Sequence, residues 1–188
     1  MTQKLWQKKL KLIFNKEVID IVQFGSSVIE GKEPKDIDIA VIFNKIPIKD
    51  QLLESQKIKR QLEKHAEKPI HITILDYYSL LDNANFAREG ILHQGKSIIT
   101  GDSFSKQLLS LEPRTYIHYS LNNLKKKDKI RFNYMLSGKQ GLYGLLRKYK
   151  GKLLKPGLIE IPPEFEEIFI SSIKKFNIEF KINKVFIQ

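Results

Sequence analysis

The chain has 188 residues, no cysteine and a formal net charge of +12. That length supports one large or two small domains with a true hydrophobic core. The composition excludes disulfides, thiolate metal sites and cysteine nucleophiles, and no apolar run approaches the ~18–20 residues that span a bilayer.

Four histidines, at 65, 71, 93 and 118, are scattered without zinc-binding spacing. The first residues, Met1 to Lys9, alternate charged and apolar side chains and lack the continuous apolar stretch of a signal peptide. A cytoplasmic protein with no membrane partner is the expectation. The charge is unevenly placed. Residues 1–112 hold 17 basic and 15 acidic residues, whereas residues 113–188 hold 16 and 6. Between 114 and 155 there are 12 basic residues and one acid, Asp128. Asymmetry of this kind points to a polyanionic partner, nucleic acid first.

Taken in order, Leu5, Trp6, Leu10, Ile13 and Phe14 recur at helical spacing and predict a helix over about 2–16. Ile19 to Phe24 reads as a mostly buried strand ending at Gly25-Ser26. Residues 31–35 form a polar connector that carries Lys32 and Lys35, and Pro34 would end any preceding helix. A second strand opens on Asp36-Ile37-Asp38 and runs to Phe43. Residues 49–67 read as a helix with Leu52, Leu53, Ile58 and Leu62 inward. A third strand follows over 69–76, then a helix from Ser79 to Arg88 ended by Gly90 and Gly95.

A second unit is expected from about residue 104, with Glu112-Pro113 as the joint. The corresponding domains are 1–104 and 105–188. In the second, a strand at 116–121 precedes a helix at 125–136 and a turn-rich connector around Gly138, Gly141 and Gly144. Strands flank the turn at 155–157, and Pro162-Pro163-Glu164 opens a helix whose core face is Phe165, Ile168, Phe169 and Ile173. One or two strands close the chain.

The chemistry concentrates where the first two strands meet. Gly25 can take positive φ and lets a ligand approach the backbone, Ser26 adds a hydroxyl, and amides after it can face an anion where a helix begins. Asp36 and Asp38, two apart on a strand, share a face. Two carboxylates so placed repel each other, and a hard divalent cation such as Mg²⁺ relieves the repulsion while keeping sites for water and phosphate. Ile37, Ile39 and Val41 then face the opposite way, into the core.

This pattern of apolar strand, Gly-Ser, nine-residue spacer and Asp-Ile-Asp resembles the nucleotidyltransferase superfamily related to DNA polymerase β, in its minimal archaeal and bacterial form. The resemblance covers about the first hundred residues. Arg88 to Lys96 resembles the helix-to-turn segment that ends such domains. The resemblance implies that Gly25 and Ser26 hold a nucleoside triphosphate and that Asp36 and Asp38 hold metal, Mg²⁺ or Mn²⁺. The family has a third carboxylate on the next strand. Here alternation offers His71 or Thr73 at the positions facing the site, while Asp76 has the other parity. Three readings stand: His71 serves the site, a bulge brings in Asp76, or the base is lost and the protein binds nucleotides without transferring them.

The second unit carries Lys125, Lys126, Lys127, Lys129, Arg131, Arg147 and Lys148, with Phe132, Tyr134, Tyr143 and Tyr149 interleaved. Cations that neutralise phosphates and aromatics that stack on bases suit RNA. The alternative is a lysine-rich solvated surface over a core that holds the aromatics.

The fold class expected is α/β in the α+β sense: a small mixed sheet with flanking helices, like a nucleotidyltransferase, followed by a basic α+β unit. The expected function is metal-dependent transfer of a nucleoside monophosphate from a triphosphate to a hydroxyl, with an RNA end favoured over a protein or small molecule. Asp36, Asp38 and His71 form the catalytic set. The alternative is a non-catalytic module of the same fold that binds nucleotide or RNA. Small members of this superfamily often work beside a protein partner.

Overall fold

The structure, a computed structural model, describes residues 4–8, 10–139 and 143–188. It is an α+β protein with two four-stranded sheets. The chain divides into two compact units, Met1–Glu112 and Pro113–Gln188. Residues 105–112 therefore belong with the first unit, not the second. Phe104 is 2% exposed among Val22, Phe24 and Leu92, and the Ser105 hydroxyl donates to the Leu92 carbonyl.

In the N-terminal unit, β1 (Val18–Phe24) runs into a 3-10 turn over Gly25–Val28, then β2 (Ile37–Phe43), α1 (Ile48–Glu63), β3 (Ile70–Asp76), α2 (Tyr77–Leu81), α3 (Arg88–Gln94), β4 (Lys96–Ser97) and α4 (Phe104–Leu109). The sheet order is β3-β2-β1-β4. β1 is antiparallel to β2 and β4, whereas β2 and β3 are parallel and joined through α1. A parallel pair needs such a crossover.

Apolar residues occupy both parities of β2 because both faces are covered. Ile37, Ile39, Val41 and Phe43 pack with Ile58 and Leu62 of α1 and with Leu5. Ala40 and Ile42 pack with Leu80, Ile91 and Phe104 of the helices that follow β3. Asp38 is the polar exception on that second parity, at the strand's open end.

The expected helix over 2–16 is not present among the described residues of that stretch. Only Leu5–Gln7 makes a 3-10 turn, and residues 10–15 carry no helix or strand but alternate in burial. Leu10, Leu12 and Phe14 pack against the core while Lys11, Ile13 and Asn15 face outward. The effective period is two, not 3.6. α1 fixes this strap by side chain to backbone. Ile13 N donates to Gln61 Oε1 at 2.8 Å and Gln61 Nε2 donates back to Ile13 O at 2.7 Å. Asn15 N donates to Glu54 Oε1 at 2.8 Å. The inward face of α1 is accordingly Gln51, Glu54, Ser55, Ile58 and Leu62, and the expected inward Leu52 and Leu53 are 49% and 55% exposed.

The helix expected from 79 to 88 is two helices. Asp82 and Asn85 turn their side chains onto Ala84 N and Ala87 N at 2.9 and 3.0 Å, giving the backbone an alternative to the helical ladder. Gly90 lies inside α3, and the chain turns at Gly95.

The C-terminal unit takes in β5 (Glu112–Tyr119) from Pro113 on, then α5 (Lys126–Ser137), α6 (Leu145–Lys148), β6 (Lys152–Lys155), β7 (Leu158–Ile161), α7 (Glu166–Lys174) and β8 (Phe180–Ile187). Sheet order is β6-β7-β5-β8. Ile117, Ile159 and Ile161 pack with Phe132 and Leu136 of α5 and Phe169 and Ile173 of α7. The expected connector after α5 leads directly into α6, which starts after Gly144. Gly141 and Leu142, part of that expectation, lie outside the described residues, as do Thr2, Gln3 and Lys9 of the expected N-terminal helix. Among the described residues no helix is long and apolar enough to cross a membrane.

Candidate metal centre

The strand register aligns the site. Phe24 of β1 stands opposite Asp38 of β2, and Asp38 stands opposite His71 of β3. One row across the sheet therefore ends β1, opens β2 and opens β3. Asp36 lies two residues before Asp38, immediately ahead of the strand, and repeats its parity.

Asp36, Asp38 and His71 each offer a ligand atom, all within 4.8 Å of one another. His71 Nδ1 is 3.4 Å from Asp36 Oδ2. The side chains of His71 and Asp36 are 63% and 34% exposed, so the trio opens to solvent on one side. Burial pushes the Asp38 carboxyl above the usual carboxylate range. The Asp36 charge adds to that rise, and His71 opposes it. This is the electrostatic state that a cation would relieve: two like charges on one face, one of them partly desolvated.

Gly25 closes the other side. Its φ is +72°, in the left-handed region, and a Cβ placed on it would lie 2.6 Å from Asp38 Oδ2. Only glycine serves both constraints. The 3-10 turn begins here and packs on β2, with Ser26 partly exposed and Ser27 buried.

A polar network missed in the sequence holds the turn from beneath. The Ser27 hydroxyl donates to Phe24 O at 3.0 Å and accepts from Gln23 Nε2 at 3.0 Å. Gln23 Oε1 accepts from Leu5 N at 2.9 Å. The available signal was Gln23 itself, a polar residue inside an apolar run. The connector is fixed as well: Lys68 Nζ donates to Pro34 O, and Ile37 N donates to Pro69 O at 2.9 Å.

Of the residues considered for the third position, His71 joins the aspartates. Thr73 faces Ala40 one step further into the sheet. Asp76 does not reach in. β3 pairs with β2 from Ile70 to Asp76 without a register shift, so no bulge changes its parity. Its carboxylate instead caps α2, accepting from Ser79 N at 2.6 Å, and that hydrogen bond holds its pKa below the usual value.

Another carboxylate escaped notice. Asp20 is 4% exposed within β1, and its Oδ1 accepts from the Ser97 hydroxyl and from Ile21 N, both at 2.7 Å. Burial raises its pKa to about 6, against the lowering effect of those hydrogen bonds. It shares the parity of Asp38's row-mate Phe24 but stands opposite Ile42, at the other end of the strand.

In the C-terminal unit, Lys126, Lys127, Lys129 and Arg131 lie on α5 and Lys125 caps it. Arg147 and Lys148 lie on α6, which packs against α5. Arg131 Nη1 is 3.5 Å from Asp128 Oδ1, and Lys148 Nζ lies 5.1 Å from the Tyr149 ring centroid. The aromatics divide. Phe132 is fully buried, and Tyr149 packs on Phe165 and Phe169. Tyr134 and Tyr143 are 47% and 56% exposed. No protein-family model matches the chain, and no curated protein matches it with significance.

Proposed function

We propose that this protein transfers a nucleoside monophosphate from a triphosphate to a hydroxyl acceptor. The carrying observation is the meeting of Asp36, Asp38 and His71 within 4.8 Å beside the positive-φ Gly25. The donor set fits a divalent cation, Mg²⁺ or Mn²⁺, by the charge it places on one face. Such a cation supplies neutralisation of the triphosphate and of the departing pyrophosphate. Asp36 and Asp38 are the anionic ligands, with Asp38 fixed by its place in the sheet. Gly25 leaves room for a phosphate to approach the backbone, and the Ser26 hydroxyl donates to it. His71 stands where the resembling family carries a carboxylate. The acceptor hydroxyl attacks the α-phosphorus and gives up its proton to solvent, the bond from the α-phosphorus to the bridging oxygen breaks, and pyrophosphate leaves from the opposite side.

The charge of the C-terminal unit favours an RNA end as acceptor. Its exposed lysines and arginines on α5 and α6, with Tyr134 and Tyr143 also exposed, suit phosphates and unpaired bases.

A second reading rests on one observation: the third position holds an imidazole, not a carboxylate. On that reading the same site binds nucleotide without turnover. Incubating the protein with each α-labelled nucleoside triphosphate, Mg²⁺ or Mn²⁺, and cellular RNA and protein separates the two. Label on an acceptor, missing with Asp36→Ala/Asp38→Ala, supports transfer. Cation-dependent triphosphate binding without label supports the binding module.

A further inference from the structure

The identity of the third donor sets which cation this site prefers. We infer that His71 is a metal ligand and that it tunes the site toward Mn²⁺, or a cation of similar softness, over Mg²⁺. The inference rests on the reading of Asp36, Asp38 and His71 as a metal centre.

Register places His71 in the row of Asp38, and its Nδ1 is turned toward Asp36 Oδ2 at 3.4 Å. The imidazole therefore stands on the sheet face that carries the carboxylates. Metal–donor bonds of about 2.1 Å put two donors of one ion at most about 4.2 Å apart. The 4.8 Å spread of the trio closes with side-chain shifts of about a few tenths of an ångström. His71 and Asp36 are exposed enough to make them.

The chemistry then discriminates. Mg²⁺ demands oxygen ligands in near-ideal octahedral geometry and dehydrates reluctantly. Imidazole nitrogen suits the first-row transition ions, and carboxylate oxygen suits Mn²⁺ as well. A set of two carboxylates and one imidazole serves Mn²⁺ with all three donors and Mg²⁺ with two. A third carboxylate in place of His71 would offer Mg²⁺ three oxygens and remove the discrimination.

The test needs no nucleotide. Mn²⁺ binding is followed by electron paramagnetic resonance, Mg²⁺ by its competition, and the ligand sphere by the nitrogen modulation of the Mn²⁺ echo. The expectation is bound Mn²⁺ with imidazole nitrogen coupling. His71→Asp should abolish that coupling and lower the Mn²⁺/Mg²⁺ affinity ratio about tenfold, with circular dichroism unchanged because His71 is exposed at a strand start. Mn²⁺ bound without nitrogen coupling, or a ratio unchanged in His71→Asp, overturns the inference and leaves the aspartate reading standing. Mn²⁺ binding that is missing, or indifferent to Asp36→Ala, overturns both.

Discussion

The two units place their charge in opposite ways. In the N-terminal unit the polar residues that matter are few and held in register: Phe24, Asp38 and His71 share one row of a sheet, and glycine keeps a Cβ out of Asp38's way. In the C-terminal unit the charge is plentiful and sits on exposed or half-buried positions of α5 and α6. Moving one lysine there leaves its neighbours to do the same work. Moving one aspartate in the first unit takes away one of the three side chains that meet within 4.8 Å. Strand parity makes a site specific, whereas a basic helix surface gives long-range attraction that adds up charge by charge.

That contrast can be broken most severely at the aspartates. Asp36→Ala and Asp38→Ala should each reduce label transfer from a nucleoside triphosphate to background while the circular dichroism spectrum is retained. Transfer surviving in either variant would mean that the row is not the reacting centre.

A buried carboxylate of the same unit sharpens the comparison within it. Asp20 has its pKa raised from 3.8 to about 6 in the fold. The folded state therefore holds its proton more tightly than the unfolded chain does. The associated stabilisation is complete below about pH 3.8 and is lost as pH rises through about 6, up to about 3 kcal/mol. Asp20→Asn keeps the oxygen that accepts from Ser97 and Ile21 and cannot ionise. Denaturant unfolding between pH 4 and 7 should lose this titration in the variant. An unaltered pH profile would show that Asp20 does not titrate there.

Gly25→Ala comes next. The strained left-handed backbone costs about 1–3 kcal/mol, and the added methyl displaces the Asp38 carboxylate. A lowered urea midpoint at unchanged slope, together with weaker metal-dependent triphosphate binding, is expected. Wild-type binding would remove the glycine from the site.

The smallest effects belong to the basic unit. Reversing Lys125, Lys126 and Lys127 to glutamate should weaken RNA binding and reduce the logarithmic salt slope by about one per lysine. Stability should change by less than about 0.5 kcal/mol per surface position. An unchanged slope would make the stretch ordinary solvated surface.

The core strands and the site row were legible because both rest on a period of two. Ile37, Ile39 and Val41 read as inward from alternation alone, and the same alternation offered His71 or Thr73 for the third position; the choice of His71 comes from the register, which sets it opposite Asp38. The α+β class followed from the order of the elements. The N-terminal strap was misread because Leu5, Trp6, Leu10, Ile13 and Phe14 satisfy a helical spacing, while Leu10, Leu12 and Phe14 satisfy an extended one. The choice is made by Gln61 and Glu54 of α1, about forty residues away in sequence. Long-range side-chain bonds of that kind leave no local pattern. The same holds for the Leu5–Gln23 bond and for the Asp20–Ser97 pair. The helix break after Leu81 was local and readable in Asp82 and Asn85, whose side chains compete for the backbone.

The most direct test of the row of Phe24, Asp38 and His71 as a metal-and-phosphate site is calorimetric titration of the protein with a nucleoside triphosphate, with Mn²⁺ and then with EDTA, beside Asp36→Ala/Asp38→Ala. The account predicts saturable binding that requires both the cation and the two aspartates. Binding of equal strength in EDTA or in the double variant would contradict it.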